Sequence, residues 1–220
     1  MKISGDNFFI IVIAVTGLAL AYGLFFSRSA RVKRRLRKAN GKRIHEFQDG
    51  DVARTVGEIT YFGKTLAAPL SGRKCVYYHV VVEDHSGRNS RTLVDEEMAA
   101  DVTIRDGNYY ALVNTTLVKS HLVQDAKYSS GFLNDATGQL ENYLKRHGHE
   151  STGLLGFNKT IEYKEAILEE GELLAVVGKG KWKTSAELKI QTPSSRMLVI
   201  GPDDDEPVYF SDDPSTTKEV

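Results

Sequence analysis

The residues that could do chemistry are few. One cysteine, Cys75, and six histidines are spread over 220 residues. A single thiol excludes an internal disulfide and any multi-thiolate zinc site. Cys75 stands where a strongly apolar run begins, which reads as a small buried hydrophobe, with a reactive thiol as the alternative. His147-Gly148-His149 invites a metal reading but has no Cys or carboxylate at ligand spacing, and it reads as surface. Asp203-Asp204-Asp205-Glu206 lacks the alternating ligands and distal bidentate glutamate of a calcium loop, so it reads as a solvated turn. His79 alternates with apolar and aromatic residues and reads as a hydrogen-bonded core histidine rather than a base. There is no G-x-S-x-G elbow, phosphate loop or H-E-x-x-H. On these grounds no catalytic, cofactor-binding or metal-ligating residue is assigned, and no cofactor is expected.

These residues must be positioned by a strand-rich chain. Residues 76–82 form a nearly unbroken β-branched and aromatic run, which predicts a strand buried on both faces at the centre of a sheet. Pro69, Ser71 and Gly72 force a bend ahead of it. Residues 54–61 predict an earlier strand, and 91–94 answer 76–82 across a turn at 86–89. Asp106-Gly107 between 102–104 and 109–118 is a hairpin signal. Asn134 or Asp135 caps a helix to about His147, with Ala136, Leu140, Tyr143 and Leu144 on its apolar face and Gly148 at its end. Strands are expected again at 160–168, 173–178, 186–191, 197–200 and 208–210. The tail after Asp213 is polar and expected to be disordered.

The N-terminal segment has another character. Residues 8–26 carry no charge, and as a helix they reach about 28 Å, enough to cross a hydrocarbon core of about 30 Å. Residues 1–46 hold ten Lys/Arg against two acids, leaving nineteen basic and twenty-seven acidic residues beyond them. The basic run following residue 26 argues against a cleaved signal peptide. By the positive-inside rule it places the N-terminus outside and the rest in the cytoplasm, as a single-pass membrane protein. Arg28, Arg31, Lys33, Arg34, Arg35, Arg37 and Lys38 either only set topology or also meet anionic lipid head groups. Nucleic acid is not expected as a partner, since the domain behind the run is acidic.

The expected fold is mainly β (α+β): one membrane-anchored, barrel- or sandwich-like domain with one substantial helix, preceded by one transmembrane helix. The boundaries are a short tail at 1–7, a span at 8–26, a basic juxtamembrane linker at 27–46, the β-rich domain at 47–213 and a tail at 214–220.

With both halves read, the chain resembles the GIDE family, also called the BAM ("beside a membrane") domain. The resemblance covers about residues 52–211. It rests on the N-terminal span, Val56-Gly57-Glu58-Ile59, Leu66-Ala67-Ala68-Pro69-Leu70-Ser71-Gly72 and Cys75-Val76-Tyr77-Tyr78. Glu165-x-x-Leu168-x-x-Gly171-Glu172 and Val176-Val177-Gly178 complete it. The best-known members are membrane-anchored RING ubiquitin ligases of mitochondria and chloroplasts, with a second span and a cysteine-rich RING. This sequence has one cysteine and no later apolar run, so ligase activity is not carried over, and the resemblance is to RING-less prokaryotic members. In the mitochondrial relatives the domain faces the intermembrane space, so the resemblance leaves orientation open. The function of those RING-less members is largely undefined, and the leading reading here is a membrane-tethered, non-enzymatic binding module that engages an unknown protein or a lipid-surface partner. The alternatives are a component related to ubiquitin ligases, an unrecognised hydrolase, or an accessory subunit of a membrane complex.

Overall fold

The structure is a computed structural model that describes residues 27–130, 138–150, 159–188, 194–204 and 206–218. The expected span at 8–26 lies outside them, and among the described residues no helix is long and apolar enough to cross a membrane. The chain is mainly β. Helix α1 (Arg28–Lys38) leads through a 3-10 turn at Ile44–Glu46 into β1 (Val52–Thr60). A small arm, β2 (Leu66–Ala67) and β3 (Lys74–Cys75), precedes the hairpin of β4 (Tyr77–Asp84) and β5 (Arg91–Ala99). Then come β6 (Thr103–Asp106), β7 (Tyr109–Val113), β8 (Val118–His121), β9 (Ala126–Ser130) and helix α2 (Gly138–Arg146). The last third holds β10 (Ile161–Leu168), β11 (Leu173–Thr184), the short helix α3 (Ser185–Leu188), β12 (Arg196–Gly201) and β13 (Val208–Ser211).

Five strands close on themselves. β1 pairs with β6, β6 with β7, β7 with β12, β12 with β11, and β11 again with β1. β13 and β8 extend this sheet from β11. Closure requires strands to change partners, and glycines stand where they do. β1 passes from β11 to β6 at Glu58, next to Gly57, where a Cβ would meet Arg105 O at 2.9 Å and Ile104 Cβ at 3.0 Å. β11 passes from β13 to β12 between Val177 and Lys179. At the intervening Gly178 a Cβ would meet Gly201 O at 2.7 Å. Small residues at such corners let one backbone cross another closely. Ala53, Ile59, Ile104, Leu174, Val176, Leu198, Ile200 and Phe210 belong to the core built by these strands.

The second sheet, in order β5-β4-β10-β9, is antiparallel throughout. One face (Tyr78, Val80, Val82, Tyr163, Ile167) packs on Leu140, Tyr143 and Leu144 of α2. Tyr77, Ala166 and Leu168 point the other way and join the core of the first sheet, with Tyr77 edge-on to Phe210 at 5.0 Å. β4 is therefore flanked by strands on both sides but not buried on both faces. His79, Val81 and Glu83 are only half-buried, because polar neighbours from β5 and β10 share their face.

Four other expectations give way. Residues 27–46 are not an extended linker: α1 lies on the domain, with Val32 and Leu36 fully buried against Ala175, Val177 and Tyr209. The described residues thus hold two multi-turn helices, where one was expected. The run at 109–118 breaks into β7 and β8 because Asn114 Oδ1 accepts from Thr116 N (2.9 Å) and turns the chain. Residues 185–188 are helical, not extended. Thr184 and Glu187 exchange bonds as a capping box, Thr184 N to Glu187 Oε2 at 2.8 Å and Glu187 N to Thr184 Oγ1 at 3.4 Å; residues 189–191 lie outside the described residues. Residues 214–218 of the expected tail are held as well. Thr216 is fully buried, its carbonyl accepts from Arg54 Nη1 (2.9 Å), and Ser215 Oγ accepts from Arg37 (2.8 Å). For α2, the expected caps Asn134 and Asp135 and the apolar Ala136 lie outside the described residues.

Candidate functional site

The residues that carry the family resemblance mostly hold one another in place. On the buried face of β10, Glu165 is an acid among hydrophobes and is 1% exposed. Its carboxylate accepts from Leu70 N (2.8 Å) and Ser71 N (3.0 Å), so it clasps the turn between β2 and β3. Gln139 of α2 donates to Pro69 O (3.1 Å) on the same turn. Gly72 closes it at φ +71°, a conformation glycine adopts freely, and its N–H bonds to Ala68 O (2.9 Å). Arg73 then pairs with Glu169. Cys75 follows, fully buried. Burial first, then the charges of Glu165 and Glu169, push its thiol up to about 11. The thiolate needed for a nucleophile is therefore scarce at neutral pH. The geometry matches a packed hydrophobe.

The remaining motif residues lie elsewhere. Gly57 and Gly178 are the corners described above, and Glu58 pairs with Arg105 (2.9 Å). Gly171 donates to Ile59 O (3.0 Å) in the link between β10 and β11. Tyr78 OH donates to Glu96 Oε1 (2.9 Å) and Tyr143 OH to Glu96 Oε2 (2.6 Å), fastening α2 to the sheet. Burial opposes ionisation of Glu96, but these phenols and His147 outweigh it and hold the carboxyl below its usual range.

Chemistry-bearing side chains converge instead on a cleft of about 210 Å³ between β8, the first turn of α1 and the face of the second sheet turned away from α2. Arg28, His79, Ser120, His121 and Lys164 line it. Arg28 pairs with Glu97 and donates to Ser120 Oγ (3.2 Å). Tyr77 donates to Glu97 Oε2, and its hydroxyl is 3.2 Å from that of Ser120. Its phenol is pushed well above the usual range by burial and by the hydrogen bond to Glu97. These contacts tie α1, β4, β5 and β8 at one point. His79 Nε2 lies 2.7 Å from Asp95 Oδ1 and 3.7 Å from Glu97 Oε1. His121 is 3.6 Å from Asp213 Oδ2; burial, then Lys33, hold it below its usual value and outweigh that carboxylate. Beside the cleft, Lys164 contacts Glu83 (2.6 Å) and Glu162 (2.8 Å), and Lys127 contacts Glu162 (2.7 Å). Among the described residues, two His/carboxylate groups have donor spacing a metal could use, His79–Asp95–Glu97 and Glu83–His85–Glu162.

Sequence reasoning had no route to the first group, and the cause is local. From the turn, plain counting along the hairpin pairs Asp84 with Arg91 and would put His79 opposite Glu96. A bulge between Val82 and Glu83 moves the register by one, so His79 faces Glu97. A one-residue slip moves every side chain to the other face.

The basic run is largely committed to the domain. Besides Arg28, Lys33 pairs with Asp213 (2.6 Å) and Arg35 with Glu206 (3.4 Å), while Arg37 bonds Ser215. Arg31 and Lys38 point to solvent and Arg34 is half-buried.

Set against protein-family models, curated proteins and solved structures, the chain matches none.

Proposed function

We propose that this protein is a membrane-tethered, non-enzymatic binding module of GIDE type, a β-rich domain held close to a bilayer to engage a partner. Residues 8–26 serve as its single span, and the domain sits on the cytoplasmic side. The observation that carries this reading is the docking of α1. The helix begins two positions after the apolar segment, and its buried Val32 and Leu36 and its ion pairs weld it to the domain. A tether built this way fixes the domain relative to the point where the chain leaves the membrane, as a flexible linker would not. The cleft beside Arg28 then lies within a helical turn or so of that point and offers mixed charge for recognition.

Topology is tested with Lys38→Cys in intact cells, using a membrane-impermeant maleimide. Cys75, buried and with a raised pKa, gives little background. Labelling only after lysis, with the protein staying in carbonate-washed membranes, is the expected result. Labelling in intact cells, or release by carbonate, overturns the orientation or the anchor. For the binding role, a stoichiometric partner recovered with the wild type is expected to be lost with Val81→Arg, which fills the cleft. Catalytic turnover by the purified chain without any partner overturns it.

A further inference from the structure

We propose that His79, Asp95 and Glu97 form a binding site for a divalent transition-metal ion of the zinc type, with Arg28 as the internal cation that the ion displaces. The inference stands apart from the membrane reading. One imidazole nitrogen and two carboxylate oxygens make a donor set that suits zinc and its first-row neighbours better than calcium or magnesium, which prefer all-oxygen shells.

The three donor atoms lie within 4.8 Å of one another. A tetrahedral ion with bonds of about 2.0–2.1 Å needs donors roughly 3.4 Å apart. His79 Nε2 to Glu97 Oε1, at 3.7 Å, is already near that value. His79 Nε2 to Asp95 Oδ1, at 2.7 Å, must open, and Asp95 is the one free to move, its side chain being 59% exposed. The frame is rigid. His79 and Glu97 are directly opposed on β4 and β5, and Asp95 stands two residues along β5 on the same face.

Two features point to a ligand beyond mere proximity. Glu97 Oε1 is buried and its one close partner is the Arg28 guanidinium, while Tyr77 donates to the other oxygen, Oε2. That is how outer-shell donors orient a ligating carboxylate, leaving one oxygen directed at the ion. Arg28 lies against Oε1 as an ion pair and so neutralises the charge that a metal would take over. In the neighbouring group Glu83–His85–Glu162, Lys164 and Lys127 pair with both carboxylates, so two cations rather than one would have to give way. Taking up an ion at Glu97 removes the contact between the first turn of α1 and the second sheet.

The test uses the full chain in detergent, stripped by chelator and titrated first with Zn²⁺ and then with Co²⁺, whose visible absorption reports coordination. One ion per chain is expected. Arg28→Gln should tighten binding about tenfold, Tyr77→Phe should weaken it about tenfold, and His79→Ala or Asp95→Asn should weaken it a hundredfold or more. Asp95 is exposed, so Asp95→Asn keeps the fold even if His79→Ala does not, and circular dichroism checks both. No stoichiometric binding by the wild type overturns the proposal. So does binding indifferent to Asp95→Asn, or binding weakened by Arg28→Gln.

Discussion

Leu36→Ala is the sharpest test of how the chain leaves its N-terminal segment. Leu36 is fully buried in a small cluster with Val32, Ala175, Val177 and Tyr209. Truncating a buried leucine removes its transfer free energy and leaves a cavity, together about 2–5 kcal/mol; about 3 kcal/mol is expected here, since the cluster lies on the outside of the sheet and can partly collapse. The ion pairs around it are part-exposed and contribute at most about 1 kcal/mol each, so salt should matter little beside this. If α1 opens separately from the domain, a loss of 3 kcal/mol raises its amide exchange rate more than a hundredfold, at 1.4 kcal/mol per tenfold. The assay is hydrogen exchange on the full chain, comparing the peptide over 28–38 with one from β11. Lys38→Ala, at an exposed position, is the control and should change little. A wild-type α1 that exchanges as fast as a free helix, or a Leu36→Ala chain no faster than wild type, refutes the docking argument.

Other outcomes follow from the same contacts. Glu165→Ala strands one buried and one part-buried N–H group at about 1–3 kcal/mol each, so a fall in denaturation free energy of roughly 2–5 kcal/mol is expected; less than 1 contradicts the clasp. Gly72→Val should cost about 2 kcal/mol, from backbone strain at φ +71° alone, because a Cβ there meets nothing within 4 Å. Cys75 should resist alkylation in the folded protein and label quickly only on unfolding, which fast labelling of native protein would contradict. Asp212 gives a pH signature: burial raises its carboxyl to about 7, so the native state keeps a proton that the unfolded chain releases from about pH 4 upward. The contribution of Asp212 to stability then falls as pH rises through 4 to 7, by on the order of 4 kcal/mol. Asp212→Asn, which can still accept from Val123 N (2.8 Å), should therefore stabilise at pH 8 and be nearly neutral below pH 4; an equal effect at both overturns this.

Strands announced themselves where apolar residues alternated or ran together between turns, as at β1, β10, β11, β12 and β13. The hairpins at 86–89 and 106–109 were legible for the same reason. α1 was hidden by its own composition. Only Val32 and Leu36, four apart, show its buried face among seven cations, and charge density drew attention from that spacing. Val80-Val81-Val82 concealed that β4 has one wet face, since Val81 looks as buried as its neighbours in sequence. Glu165 was visible as an acid on the apolar face of a strand. Its partners, two backbone N–H groups more than ninety residues away, leave no mark in side-chain pattern. The cleft suffered most, because its composition depends on one bulge that no residue type specifies.

β11 has a consequence for the order of events during synthesis. It is hydrogen-bonded along its length to β1, β13 and β12, and α1 rests on its outer face. Val52 meets Lys179, 127 positions later. At about 5–20 residues per second, β1 and α1 emerge from a ribosome roughly 6–25 s before their partner exists. Throughout that interval Val32, Leu36 and one edge of β1 have nothing to pack against, and contacts this distant in sequence close slowly even once they are available. The nascent chain is thus expected to be an aggregation-prone, chaperone-dependent species until residues near 211 are made. Truncations before β11 should accumulate as insoluble or degraded chains rather than as folded fragments.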